Sequence, residues 1–135
     1  MKSLTKTPVY IKNYWPSLLT LMVILYATLW PDIPVAEGLA LFPGYDKLIH
    51  AIMMGGMAAA IWFDYRRSGG RITTKCIVNV AVAVTIFAAL DESFQHLISP
   101  SRTLDIFDFL AGVGGIVIAS FTAPPVINRI FRKRR

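Results

Sequence analysis

The chain has a single cysteine, Cys76, which excludes an intrachain disulfide and any CxxC metal or redox motif. It lies near the start of an apolar segment and reads as a packed small thiol. Charge is scarce too: Asp, Glu, Lys and Arg make up 16% of the residues, where a soluble domain carries about 25%. There are two histidines and no His-x-x-x-His pair, no serine nucleophile elbow and no glycine-rich phosphate loop. No internal repeat or low-complexity tract interrupts the 135 residues. Disulfide scaffolds, cysteine-based zinc modules and glycine-rich-loop nucleotide sites are thereby set aside.

What is present is apolar. Hydrophobic residues make up 55% of the chain and the mean hydropathy is +0.54. An integral membrane protein with little mass outside the bilayer fits these totals, as one domain over residues 1–135. Net charge is +6 with pI near 9.8, but the basic residues lie between hydrophobic segments and at the termini. That distribution argues against nucleic acid as a partner.

A bilayer core of ~30 Å takes about 20 helical residues. Four segments approach this, at about 14–30, 45–63, 76–97 and 104–124. The fold expected is all-α, a bundle of four transmembrane helices. Lys2, Lys6 and Lys12 precede the first segment, and Arg66, Arg67, Arg71 and Lys75 lie between the second and third. Arg129, Arg132, Lys133, Arg134 and Arg135 follow the fourth. Only Lys47 and Arg102 fall on the other side, with every acidic residue except Asp64. The positive-inside rule therefore places both termini in the cytoplasm. The first helix is expected to be retained rather than cleaved as a signal peptide. In the first outer loop, Val35 to Phe42 is apolar enough to lie on lipid or fold over the bundle as a lid. The second outer connection, Ile98 to Thr103, is short enough to make the third and fourth helices antiparallel neighbours.

Ionisable residues cluster at the outer ends of three segments: Asp46-Lys47-x-x-His50, Asp91-Glu92-x-x-Gln95-His96 and Arg102-x-x-Asp105-x-x-Asp108. Charges inside a membrane are costly unless they pair or face a cavity, which makes them functional candidates. Residues three and four apart share a helix face, so Asp46, Lys47 and His50 form one stripe. Glu92, Gln95 and His96 form another, with Asp91 aligned to Gln95. His50, Glu92 and Asp108 each lie roughly one to one and a half turns inside their helix ends. Three helices thus bring polar groups to one level, as a pocket open to the outer side would require. On the fourth helix, Gly112, Gly115 and Ala119 continue the acidic face as a small-residue face. Such faces, with Gly55, Gly56, Ala59 and Ala60 on the second helix, allow close helix approach or a homo-oligomer.

Plainer readings apply to each group singly. Lys47 and Arg102 can pair with the carboxylates as packing glue, and Asp46 and Asp105 suit a helix N-terminus. Five carboxylates at one level exceed what glue requires. The spacing is not a metal signature and no cofactor is expected, although His50, Glu92 and Asp108 could together make a His/carboxylate site.

These same residues resemble the VanZ-like family of small bacterial membrane proteins. The resemblance covers about Tyr45 to Ala119. It rests on Asp46-Lys47-x-x-His50 opening a helix, Glu92-x-x-Gln95 late in the next, then Pro100-Ser101-Arg102-Thr103 with Asp105, Asp108 and Gly115. Ser101 stands where the family pattern has glycine, and Gly112 where it has asparagine. The resemblance implies a multi-pass protein of the bacterial cytoplasmic membrane with a polar extracytoplasmic site. Its residues would be Lys47, His50, Glu92, Gln95, Arg102, Asp105 and Asp108. The family name comes from a protein linked to teicoplanin resistance, so membrane lipids or a lipid-linked envelope molecule are the expected partners.

As a catalytic assignment, Lys47 and Arg102 hold an anionic head group, with Asp46, Asp91 and Asp105 among the ligand-binding groups. His50 acts as general acid or base tuned by Asp46 or Glu92, Asp108 orients it or activates water, and Gln95 supplies a neutral hydrogen bond. No nucleophile is identified, so whether chemistry occurs stays open. The alternatives are a binding module that masks a lipid or antibiotic target, and a proton-coupled transporter or flippase. Against the last, the inner halves of the helices look apolar and no inverted repeat is visible.

Overall fold

The computed structural model describes residues 13–29, 43–98 and 105–133. Among them the chain is all-helical, with α1 (Trp15–Leu29), α2 (Tyr45–Arg67), α3 (Thr74–Ile98) and α4 (Ile106–Arg132). α2, α3 and α4 are long and apolar enough to cross a membrane, whereas the described part of α1 is a shorter apolar helix. The loop at 31–42, the connection at 99–104, Arg102, and the basic residues before 13 and after 133 lie outside the described residues.

Local chemistry sets the helix limits. Gly44 enters α2 at φ 87°, and Gly69 leaves it at φ 93°, a left-handed conformation natural to glycine. Past the end of α2, Ser68 N–H donates to Asp64 O at 2.9 Å and Gly70 N–H to Tyr65 O at 3.0 Å, closing orphan carbonyls. Thr73 Oγ1 accepts from Cys76 N–H at 3.3 Å before α3, and Asp105 Oδ1 accepts from Phe107 N–H at 2.8 Å to cap α4.

Two limits differ from the sequence expectation. α2 continues one turn past Phe63 to Arg67, which brings Asp64 inside the helix. α4 runs through Pro124 and Pro125 to Arg132, not ending at Pro124. Proline forfeits an N–H but its φ is helical, and neighbouring packing offsets the loss in an apolar bundle. Here Pro124 is buried, and Phe131 beyond it packs on Phe63 with ring centroids 5.5 Å apart.

Contacts at the two ends fix the topology. Ser17 of α1 meets Asp64 of α2, while Thr28 of α1 meets Asp91 of α3. Asp105, just before α4, meets Glu92 of α3 and Lys47 of α2. The helices therefore alternate in direction. The start of α1 and the end of α4 share one end of the bundle, the Arg67 end, and the polar cluster occupies the Lys47 end.

α2 and α4 form the most extensive interface, because glycines let their backbones touch. A Cβ built on Gly55 would lie 2.7 Å from the Gly115 carbonyl oxygen, and one on Gly115 would overlap the Ala51 carbonyl. Gly112 faces Met54. The expected small face of α4 is thus taken up inside the molecule. On α2 the closely packed glycine is Gly55, whereas Gly56, like Gly114 on α4, has open space around it. Ile24, Met54, Ala58, Trp62, Val84, Ala88, Ile116 and Ile127 form the core. Outward faces carry Met22, Leu97, Ile118 and Phe121, all largely exposed. So much uncovered apolar surface suits a lipid environment.

Candidate functional site

The start of α2, the end of α3 and the start of α4 meet at the Lys47 end. Lys47 Nζ donates to Asp46 Oδ2 at 3.1 Å, Asp108 Oδ1 at 3.2 Å and Asp105 Oδ2 at 3.3 Å. One ammonium thus gathers carboxylates from α2, from α4 and from the residue that caps it. Lys47 and Asp46 keep 38% and 45% of their side-chain surface, while Asp108 keeps 16%. The cluster is open on one side and enclosed beneath.

His50 lies one turn below Lys47, with its Nε2 3.8 Å from Asp108 Oδ2. That is within ion-pair range but too long for a hydrogen bond. Asp108 faces this imidazole, and of the two tuning partners the sequence suggested, Glu92 brings an oxygen within 4.8 Å of it. Asp108 therefore lies between the two side chains, turning Oδ1 to Lys47 and Oδ2 to His50. Glu92, nearly buried at 8% exposure, accepts the Asp105 N–H at 3.1 Å and ties α3 to the α4 cap.

Asp105 sits ahead of α4, and its carboxyl is held below the usual carboxylate value. The Phe107 N–H bond is the main cause, with Lys47 adding to it. The shift favours the ionised cap that Lys47 requires.

Asp91 and Gln95 lie at the same level but face differently. Asp91 Oδ1 accepts from Thr28 Oγ1 at 2.8 Å and its Oδ2 from Gln95 Nε2 at 3.0 Å. Both oxygens are engaged and the residue is 3% exposed. Its visible work is to fasten α1 to α3, not to join the Lys47 group. His96 is exposed.

Two groups of side chains have ligand atoms within 4.8 Å of one another, as a metal ion requires: His50, Glu92 and Asp108, and Asp46, Asp105 and Asp108. Lys47 already sits among the second group. The first contains the sequence-level His/carboxylate candidate.

Sequence reasoning overlooked a second polar contact, at the Arg67 end. Asp64 is fully buried and its Oδ2 accepts from Ser17 Oγ at 2.6 Å and Ser17 N–H at 2.9 Å. Ser17 is in the first turn of α1, so Asp64 caps that helix from another one. Arg67 Nη2 stands 3.8 Å from Asp64 Oδ1 and donates to Asn13 O at 2.6 Å. The half of the bundle away from Lys47 is therefore not wholly apolar. A carboxylate one turn before the end of an apolar helix, and hydroxyls at Ser17 and Thr28 eleven residues apart on one face, were the available signals.

Comparison with family models, with curated proteins and with solved structures found no match to the chain.

Proposed function

We propose that this is a VanZ-like integral membrane protein of the bacterial cytoplasmic membrane that binds an anionic envelope lipid or lipid-linked molecule at its Lys47 end. In this reading all four helices span the bilayer and the Arg67 end faces the cytoplasm. Arg66, Arg67, Arg71, Lys75, Arg129, Arg132 and Lys133 support that orientation, since they gather towards the one end. The observation that carries the reading is the convergence of Lys47, His50, Glu92, Asp105 and Asp108 from three apolar helices into one half-open cluster. Charges at that depth need a task. A role in teicoplanin resistance belongs to the same proposal and follows from the family resemblance alone.

Lys47 does not stand ready for a phosphate, because three carboxylates share its charge. Its role in this reading is to order the carboxylates. Counter-charge for the head group comes from Arg102, whose guanidinium suits bidentate phosphate contacts, or from a bound cation. If chemistry follows binding, the His50–Asp108 pair is the general acid–base element. The same geometry serves a binding module, in which His50 is dispensable.

Native mass spectrometry with lipidomics on the purified chain tests this, beside a Lys47→Ala/Arg102→Ala variant. Retention of an anionic lipid by the native chain and its loss from the folded variant is the expected result. A native chain that retains no lipid selectively refutes the proposal. Turnover of the retained lipid with and without His50→Ala then separates enzyme from binding module.

A further inference from the structure

We infer that His50, Glu92 and Asp108 form a divalent-cation site, of zinc or manganese type, whose ion supplies the counter-charge for an anionic head group. The inference rests on reading the Lys47 end as a lipid-binding site.

The three ligands come from three different helices, yet their ligand atoms lie within 4.8 Å of one another. His50 Nε2 and Asp108 Oδ2 are 3.8 Å apart, which leaves the pair without a hydrogen bond between them. An ion bound to both at about 2.1 Å would subtend roughly 130°, and a few tenths of an ångström of closure brings that to the tetrahedral angle. Glu92, more than nine-tenths buried, brings the third oxygen from α3.

The surroundings supply what a metal centre needs outside its ligands. Asp108 is oriented through its other oxygen by Lys47, and Glu92 by the Asp105 N–H. Such outer contacts set the direction and basicity of ligands. His50 and Asp108 keep 15% and 16% of their side-chain surface, so one side is open. Three protein ligands and an open position is the form of a site that accepts a further ligand.

Charge balance points the same way. Among the described residues at this end, Lys47 is shared by Asp46, Asp105 and Asp108, and Glu92 adds a fourth carboxylate beside the Asp105 backbone. An anion approaching those carboxylates is repelled, whereas a dication is drawn in and presents a positive centre to a phosphate. One imidazole nitrogen with two carboxylates suits zinc or manganese, whereas magnesium favours oxygen and keeps its waters. The neighbouring Asp46, Asp105 and Asp108 group is not included, because Lys47 Nζ sits in it.

The test is calorimetric titration of the full chain, chelator-treated in detergent micelles, with Zn²⁺ and with Mg²⁺. One Zn²⁺ per chain at micromolar or tighter Kd, with Mg²⁺ far weaker, is expected. His50→Ala and Glu92→Gln weaken Zn²⁺ binding by about 100-fold or more, while His50→Cys, which restores a ligand, retains it. Helical circular dichroism of each variant establishes that it is folded. Absence of stoichiometric Zn²⁺ binding by the native chain, or native-like binding by folded His50→Ala, overturns the inference. Lipid retention measured with and without chelator separates the two readings. Retention that does not depend on the ion overturns the cation's role while the lipid reading stands. Zn²⁺ binding with no lipid in either condition overturns the lipid reading and the counter-charge role, leaving the metal site alone.

Discussion

Replacing Gly55 by alanine tests the packing that holds the candidate site together. The added Cβ would lie 2.7 Å from the Gly115 carbonyl oxygen, where ordinary contacts begin near 3.4 Å. The obstructing atom is backbone, so no side chain can swing away, and α2 must part from α4 by about 0.7 Å at that level. A gap of 0.5–1 Å forfeits roughly a quarter to a half of each dispersion contact along the seam. Overpacking of this kind costs about 1–3 kcal/mol. Gly115→Ala belongs at or beyond the top of that range, since its Cβ meets the Ala51 backbone. Gly56→Ala and Gly114→Ala are the controls: nothing lies within 4 Å of either added atom, and alanine gains up to about 1 kcal/mol of helix propensity. The assay is reversible unfolding in mixed micelles, followed by far-UV circular dichroism. Equal stability of Gly55→Ala and Gly56→Ala, within about 0.5 kcal/mol, would refute the backbone contact and the helix pairing inferred from it.

Asp64→Ala removes the acceptor for Ser17 N–H and Oγ and is expected to destabilise the bundle by about 1–3 kcal/mol, read in the same unfolding assay. Thr28→Val, at the other end of α1, loses the bond to Asp91 and costs about 1 kcal/mol. Ser17, the contact of Asp64, and Thr28 are about 16 Å apart along α1, so the Asp64→Ala/Thr28→Val double variant should show additive losses. Because the folded Asp105 carboxyl titrates below its usual value, its contribution is complete above about pH 4 and is lost as the pH falls further. Melting of the native chain between pH 3 and 7 should show that acid loss, and Asp105→Asn should reduce it.

The residues of the candidate site were legible in the sequence because ionisable side chains stand out in apolar helices. Helical spacing placed Lys47 and His50 on one face, and the short connection before Asp105 brought α3 and α4 together. Which oxygen faces Lys47 and which faces His50 was not legible. The pairing of Lys47 with carboxylates was among the sequence readings, but that Asp105 and Asp108 are the partners beyond Asp46 is set by the rotation of α4 against α2 and invisible to spacing. Spacing aligned Asp91 with Gln95, and the two are bonded; that Asp91 also meets Thr28 depends on α1 packing against that side of α3. The helix through Pro124 and Pro125 was missed because proline is a dependable stop only where water competes for the freed carbonyls. Asp64 was not legible because the apolar run stops at Phe63, and only the added turn to Arg67 places it inside α2.

In the proposed function the Lys47 end receives the lipid. Photo-crosslinking tests it most directly, using the chain in lipid nanodiscs with an anionic phospholipid that carries its photoreactive group on the head group. Adducts mapped by peptide sequencing should fall on the starts of α2 and α4 and the end of α3, around Lys47, Asp108 and Gln95. Adducts confined to the basic groove at the other end, lined by Pro125, Asn128, Arg129, Arg132 and Lys133, would contradict the account.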